Sequence, residues 1–209
     1  MAKLSKRQTP KIDNKYTLAR VDYNEIKKYN FNWEDKHLDD IKGRIRMFYK
    51  EQQNNICAFC KLPFRDDIHI EHMVPKGGKY GMPMYAFYTL NLCVCCKHCN
   101  SKKSTNNDMV PWNRIPYPHD GQYFKIIHPH FDNYFDHIQI VDKTRYVAKT
   151  LKGYKTINRC KLYDPVILEV LAETTKYQED PLIQGVLRMR ELGTNFKATI
   201  DRFFDKIFG

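Results

Sequence analysis

The chain has 209 residues, of which 42% are hydrophobic and 28% charged. This composition excludes a membrane-embedded protein and a wholly disordered chain, and the length suits one domain with appendages. The 35 basic and 24 acidic residues give a formal net charge of +11 that is spread along the chain. A spread positive charge predicts a polyanionic partner, most simply nucleic acid, with a merely basic soluble protein as the equal alternative.

Roughly the first 30 residues are polar and basic, which predicts either a mobile basic arm or a frayed terminus without a role. The start of the chain has no apolar segment of the kind found in secretory signals. We therefore expect a cytoplasmic protein that has no membrane partner. Between Asp35 and Gln53, apolar residues recur at steps of three and four, which predicts an amphipathic helix.

Six of the seven cysteines lie between Cys57 and Cys99. Clustered thiols in a chain of this size indicate a metal site rather than a disulfide framework. Two Cys-x-x-Cys turns can each supply two thiolates to one ion and close a tetrahedral zinc site. Such a site has no open position, so the zinc is expected to be structural. The first turn is Cys57 with Cys60, and by spacing alone the second is either Cys96 with Cys99 or Cys93 with Cys96.

Between the two cysteine pairs, apolar alternation predicts strands at 68–72 and 90–94, and a short helix is expected after Cys99. A carboxylate and a histidine, Glu71 and His72, end the first predicted strand. Glu71 and Asn100 offer hard oxygen ligands that suit magnesium or manganese. His72 is the residue type that can accept a proton at neutral pH.

Beyond residue 110 a proline-rich connector is followed by three predicted strands, at 124–127, 138–141 and 146–148. Asp142 and Lys143 are candidates for a hairpin turn, and helices are predicted from Asp164 to the end. The segment from His128 to Asp132 has the residue types of a metal site, but an intervening proline makes a loop the favoured interpretation. Cys160 is expected in the core.

The ordered motifs Cys-x-x-Cys, Glu-His-x-x-Pro, Asn-Leu and Cys-x-x-Cys-Asn-x-x-Lys occupy residues 57–103. Together they resemble the HNH nuclease superfamily, whose core is a ββα-metal finger. The resemblance favours the register with Cys96 and Cys99, because only that register places Asn100 beside the site. Cys93 and Cys95 are then expected to be buried thiols. A departure from the family pattern is Glu71, where aspartate or histidine is more usual.

The resemblance implies a role for each matched residue. Glu71 and Asn100 hold a divalent ion, His72 is the general base, and Asn91 fixes the loop that carries the base. Lys103 is expected to contact phosphate, and Lys76 and Lys79 are predicted as further phosphate contacts or as parts of a solvated loop. His69 shares a strand face with Glu71, so it is either a third ligand or, more simply, a packing residue. His98 is expected to fill space or to meet phosphate.

The resemblance further implies an α+β fold, a ββα-metal finger braced by a four-cysteine zinc site. We expect three segments: an arm and helix (1–55), the nuclease core (56–110), and a strand pair with C-terminal helices that binds substrate or partner (111–209). The expected activity is magnesium- or manganese-dependent hydrolysis of phosphodiester bonds, with DNA as the favoured substrate.

Two alternatives stay open. One is a non-catalytic zinc-finger module that binds nucleic acid. The other is a nuclease subunit that acts only in a complex, because residues 128–158 loosely resemble accessory HNH nucleases of prokaryotic anti-phage systems, which work beside an ATPase.

Overall fold

A computed structural model describes residues 9–65, 67–141, 145–164 and 167. The fold is mixed α+β and contains small two-stranded sheets. The described residues within 1–139 and 147–161 form one compact unit, and those within 140–146 and 162–167 belong to a second. The division into segments 1–55, 56–110 and 111–209 stays a prediction.

The described residues contain five α-helices: α1 (Arg20–Lys28), α2 (Asp39–Gln52), α3 (Lys97–Lys103), α4 (Tyr134–His137) and α5 (Leu151–Cys160). They also contain four strands: β1 (Ile68–His72), β2 (Leu92–Cys96), β3 (Ile138–Val141) and β4 (Arg145–Ala148). Strand β1 pairs with β2 and strand β3 with β4. Within the part of the chain that the structure describes, no helix is both long and apolar enough to span a bilayer.

Helix α2 forms where the sequence predicts an amphipathic helix, and that prediction is confirmed. Ile41, Ile45 and Tyr49 recur at four-residue steps, so they lie on one face, and all three are buried. This face packs against β1 and β2. The Tyr49 hydroxyl donates a 2.6 Å hydrogen bond to the Thr89 carbonyl just before β2, so the phenol of this buried side chain is satisfied.

Strands β1 and β2 form an antiparallel ladder with Ile68 opposite Cys96 and His72 opposite Leu92. Both strands were predicted, although β2 begins two residues later than its expected start at Leu90. Because side chains alternate along a strand and opposite residues share a face, the ladder has two chemically different faces. One face carries Cys96 and His72, and the other carries Glu71.

The outer edge of β2 is closed by a buried side chain. The Gln53 amide accepts a 2.8 Å hydrogen bond from the Val94 N–H and donates a 2.8 Å bond to the Val94 carbonyl. It also donates to the Ile56 carbonyl at 2.9 Å. Gln53, which directly follows α2, thus makes the bonds that a neighbouring strand would make.

Strands β3 and β4 also form as predicted, but the strand predicted at 124–127 does not. Phe124 makes only an isolated bridge with Met109. The backbone N–H groups of Lys125 and Ile127 instead donate to the Asp108 carbonyl and the Thr156 hydroxyl, so this segment is hydrogen-bonded to loops and to α5. The predicted turn at 142–143 and nearly all of the helices expected after Asp164 lie outside the described residues.

Three helices were not predicted: α1, α4 and α5. Helix α1 lies within the expected basic arm, and residue 12 of that arm is held by a 2.8 Å bond from its N–H to the Pro129 carbonyl. Helix α5 begins after Thr150, whose hydroxyl accepts the Gly153 N–H at 3.1 Å as an N-cap. A Cβ at Gly153 would collide with the His137 carbonyl, so glycine lets this helix approach closely.

Candidate metal centre and active site

Four thiols converge at the start of α3. The sulfur atoms of Cys57, Cys60, Cys96 and Cys99 all lie within 4.8 Å of one another, and the Cys60 and Cys96 sulfurs are 3.8 Å apart. A zinc ion with four Zn–S bonds of about 2.3 Å holds its sulfurs about 3.8 Å apart. The cluster therefore fits zinc in both donor type and spacing, and these four cysteines could hold a zinc ion.

Local backbone geometry builds each half of this cluster. In the first turn the Lys61 N–H donates to the Cys57 carbonyl at 3.1 Å, and Lys61 adopts a positive φ of 55° that reverses the chain. In the second, Cys96 is the N-cap of α3 and Cys99 lies in its first turn. Burial raises the pKa of the Cys60 thiol well above its ordinary value. A dication would offset that effect by stabilising the thiolates.

In the structure the second pair of the cluster is Cys96 with Cys99, and not Cys93 with Cys96. Cys93 lies opposite Glu71 and Cys95 opposite His69 in the ladder, so both thiols are on the other face of the hairpin. Both are buried, as expected for small hydrophobic residues.

On that second face Glu71 forms a buried ion pair with α3. The Lys103 ammonium donates to Glu71 Oε1 at 2.7 Å, to the His72 carbonyl at 2.7 Å and to the Met73 carbonyl at 3.4 Å. The Lys103 side chain is fully buried and that of Glu71 is 7% exposed. Burial raises the pKa of Glu71, although the ammonium opposes this shift.

The structure does not place Lys103 where it could contact phosphate, because its side chain is fully buried and its ammonium bonds to groups inside the protein. The expected surface contact is replaced by an internal one: Lys103 holds the end of β1 through one carboxylate and two carbonyls. No short-range pattern signals this pairing, because Lys103 and Glu71 are 32 residues apart in sequence.

His72 is buried at the end of β1 and its ring orientation is fixed. Its Nε2 lies 3.0 Å from the Ala86 carbonyl oxygen, which can only accept, so Nε2 carries the proton and Nδ1 carries the lone pair. The Trp33 ring packs edge-on against the imidazole at a centroid distance of 4.5 Å. Burial, together with the charges of Lys76 and Lys103, lowers the pKa of His72 to about 3, so the ring is neutral at physiological pH.

Trp33 is a residue of this site that the sequence analysis missed. It lies between α1 and α2, outside any periodic segment or recognisable motif. Its contact with His72 depends on long-range packing, so no local sequence signal could have identified it.

Asn91 is fully buried and connects both ends of the long loop between β1 and β2. Its amide donates to the carbonyls of Val74 and Tyr85 at 2.9 and 3.0 Å, and its oxygen accepts the Val74 N–H at 2.7 Å. These bonds span the loop that contains Ala86, the acceptor of His72.

A directional hydrogen-bond chain supports Asn91 from the opposite side. His128 Nδ1 accepts the His130 N–H at 3.2 Å, so in the neutral ring Nε2 carries the proton and donates to the Tyr117 hydroxyl at 2.9 Å. Tyr117 in turn donates to the Asn91 oxygen at 3.1 Å. Burial lowers the pKa of His128 well below its ordinary value, which is consistent with the neutral ring.

The segment from His128 to Asp132 is therefore a hydrogen-bonded loop, as expected, and not a metal cluster within the described residues. His130 Nε2 donates to the Leu92 carbonyl at 2.7 Å, and the Asp132 carboxylate accepts from Lys152 at 2.7 Å. Two other residues also turn inward: His98 Nε2 lies 3.1 Å from the Cys160 carbonyl, and Cys160 is buried as expected.

Asn100 lies on α3 with its oxygen 4.0 Å from the Cys95 sulfur. Its side chain is thus on the same face of the hairpin as Glu71 and His69. His69 Nε2 is buried and has no hydrogen-bond partner. A carboxylate, an amide oxygen and an unsatisfied imidazole nitrogen consequently share one face, whereas His72 points to the other.

The two remaining basic residues, Lys76 and Lys79, lie on the loop after β1. Lys76 forms a 3.0 Å ion pair with the exposed Glu34, and the Lys79 ammonium lies 5.2 Å from the centre of the Tyr80 ring. Their role as phosphate contacts stays a prediction.

These features define an α+β protein in which an antiparallel hairpin, the helix after it and the turn before it assemble a four-cysteine cluster. In comparison with known proteins, the chain is 27% identical over 165 residues to the Septu protein PtuB of Bacillus thuringiensis. The aligned region covers 77% of this chain and 56% of that protein, so the chain spans little more than half of its relative's length. No protein-family model matches the chain, and no solved structure matches it significantly.

Proposed function

We propose that this chain is a metal-dependent nuclease of the HNH type, in which His72 is the general base. The observation that carries the proposal is the state of His72: a neutral imidazole at the end of β1, held in one tautomer by the Ala86 carbonyl. A general base needs a lone pair with a defined direction, and the bond from Nε2 to the Ala86 carbonyl leaves that lone pair on Nδ1. Asn91 and Trp33 maintain this orientation through the loop and the ring contact.

His72 Nδ1 would take a proton from a water molecule, and the resulting hydroxide would attack phosphorus. Glu71 and Asn100 would hold a magnesium or manganese ion, and the buried, unpartnered Nε2 of His69 supports a third ligand on the same face. Such an ion supplies charge stabilisation at the phosphate and at the leaving oxygen. The four-cysteine cluster would hold structural zinc that fixes β2 and α3.

A second candidate function is a zinc-binding module that binds nucleic acid without cleaving it. One observation favours this candidate: Lys103 already neutralises the Glu71 carboxylate. An ion at Glu71 would have to share that carboxylate with the ammonium. The two candidates therefore differ in whether added magnesium or manganese produces cleavage.

We further propose a role in anti-phage defence beside an ATPase partner. The similarity to Septu protein PtuB supports this role, as does the loose resemblance of residues 128–158 to accessory nucleases of such systems. The nuclease activity would then depend on a partner or on a particular nucleic acid.

The test is cleavage of supercoiled plasmid and of labelled DNA and RNA, single- and double-stranded, with magnesium, manganese or no added ion. His72→Ala is compared with His37→Ala, in which an exposed histidine that contacts Asp35 and stacks on Tyr29 is removed. We expect ion-dependent cleavage that falls about 10²–10⁴-fold in His72→Ala and is unchanged in His37→Ala. Cleavage that persists in a folded His72→Ala protein would falsify the assignment of the base.

The absence of any cleavage by folded, zinc-loaded wild type, alone and with a co-purified ATPase, would favour the binding-only module.

A further inference from the structure

Two aromatic side chains lie exposed on neighbouring loops. Tyr80 and Trp112 are 44% and 46% exposed, and their rings meet edge to face with centroids 5.4 Å apart. We refer to this pair as the Tyr80–Trp112 platform. Large aromatic rings that stay exposed at this level mark an interaction surface when they occur together, because burying them would be favourable.

A single side chain fixes the backbone of both aromatic residues. The Asn107 amide donates to the Tyr80 carbonyl and to the Trp112 carbonyl, both at 2.9 Å. Its oxygen accepts the Met109 N–H at 3.0 Å, so its hydrogen-bonding groups are used within these loops. The platform is therefore preorganised, which lowers the entropy lost when a ligand binds to it.

The loop that carries Tyr80 packs against the residues that follow α3. A Cβ at Gly78, two residues before Tyr80, would lie 3.2 Å from the Thr105 Cβ. Thr105 follows α3 by two residues, and α3 ends at Lys103, the partner of Glu71. A ligand on the platform would thus lie beside the C-terminal end of α3, the helix that carries Asn100.

The charges nearest the platform in sequence are mostly positive, although Lys76 is paired with the exposed Glu34 at 3.0 Å. Residues 76–88 and 105–119 include three basic side chains, Lys76, Lys79 and Arg114, and one acidic side chain. That acid, Asp108, is buried and paired with Arg159 at 2.7 Å. The surface consequently combines aromatic faces with positive charge, the combination that binds bases by stacking and phosphates by attraction.

We propose that the Tyr80–Trp112 platform binds unpaired nucleotides next to the cleaved phosphate, so that the preferred substrate carries a single-stranded segment. This inference rests on the proposed function for the position of the cleaved bond. Bases inside a duplex are stacked on each other and cannot offer their faces to a ring, whereas unpaired bases can. The positive charge favours nucleic acid over an apolar protein segment as the occupant.

The test measures binding without cleavage, in the zinc-loaded full chain carrying His72→Ala and without added magnesium or manganese. Fluorescence anisotropy gives the Kd for three labelled oligonucleotides of equal length: single-stranded, blunt duplex, and duplex with a single-stranded tail, each as DNA and as RNA. Trp112→Ala is compared with Trp112→Phe, which keeps an aromatic face. Met84→Ala is the control for loss of an exposed apolar side chain, since Met84 is 61% exposed.

We expect Trp112→Ala to weaken binding of the single-stranded and tailed oligonucleotides by roughly 5- to 100-fold. Blunt-duplex binding should change by less than about twofold, because it depends on phosphate contacts. Trp112→Phe and Met84→Ala should stay close to the parent protein. Zinc content and thermal unfolding show that each variant is folded.

Three outcomes would overturn the proposal. Unchanged binding in Trp112→Ala would show that the platform does not bind nucleic acid and would favour a protein partner. An equal loss for duplex and unpaired oligonucleotides would show that Trp112 does not select unpaired bases. A parent protein that does not prefer unpaired strands would contradict it directly. Because binding is measured without cleavage, the two proposals can fail separately. If wild type does not cleave but Trp112→Ala selectively weakens the binding of unpaired strands, only the nuclease assignment fails.

Discussion

The two faces of the β1–β2 hairpin differ in how the charge of their ionisable groups is balanced. On one face Cys96 joins three other thiols, all of which become negative when they bind a metal, within 4.8 Å of each other. On the other face Glu71 is matched by the Lys103 ammonium at 2.7 Å. As thiolates, the four sulfurs would need a cation from outside the chain, whereas Glu71 is paired with a cation of the chain itself. We therefore expect the first face, and not the second, to depend on metal for its folding.

The largest expected effect comes from removing one thiol of the cluster. Cys99→Ala should abolish zinc binding and unfold the hairpin and α3, because apparent zinc affinities of about 10–16 kcal/mol in small zinc sites act as folding energy. Zinc content by mass spectrometry and circular dichroism measure the result. Cys93→Ala is the matched control, since its thiol is equally buried on the Glu71 face, and it should retain zinc at a cost of about 0.5–3 kcal/mol. Equal zinc loss in both variants would contradict the assigned register.

A smaller effect is expected from breaking the ion pair. Lys103→Met leaves a buried carboxylate without its partner, so the free energy of unfolding should fall by about 3–5 kcal/mol. Adding Glu71→Gln should restore much of that loss, because the remaining buried group is then neutral. Urea denaturation of the four proteins in this cycle gives the coupling energy. Zinc content should stay unchanged throughout, and its loss in Lys103→Met would show that the two faces are not independent.

The smallest effect concerns a histidine that supports β2 without belonging to either face. Burial lowers the pKa of His130 to about 4, below its ordinary value. Between pH 6.5 and 4 the unfolded chain binds a proton that the folded chain does not, so stability from this group is complete above pH 6.5 and decreases as the pH falls. The slope is about 1.4 kcal/mol per pH unit at most.

The measurement is urea denaturation of wild type and His130→Gln at pH 7.5 and 5. His130→Gln should be less stable at pH 7.5, because its bond to the Leu92 carbonyl is altered, but it should lose less stability on acidification. An identical pH dependence in the two proteins would show that His130 is not the titrating group.

The features that sequence predicted well are those set by short-range geometry. The first cysteine turn follows from a three-residue spacing, and the second is one of the two turns that this spacing allows. Helix α2 follows from four-residue steps of Ile41, Ile45 and Tyr49. The strands of the hairpin follow from apolar alternation. In each case the determining residues are close in sequence, so their pattern is visible without the fold.

The features that sequence did not predict depend on distant partners. The Lys103 ammonium finds Glu71 only because α3 folds back on β1, and Trp33 reaches His72 from a loop without periodicity. Residues 124–127 have the composition of a strand, yet their N–H groups bond to Asp108 and Thr156 on other segments. Helix α5 contains Gly153, which lowers helix propensity but permits the close approach to His137.

The Gln53 side chain has a consequence for assembly. An exposed strand edge is a template for adding a further strand from another molecule, and many proteins associate in this way. At Val94 that edge is already occupied, because Gln53 uses both the N–H and the carbonyl. A partner protein therefore cannot extend the sheet at this point of β2. A partner that bound beside Val94 would have to use side-chain contacts there instead of backbone pairing.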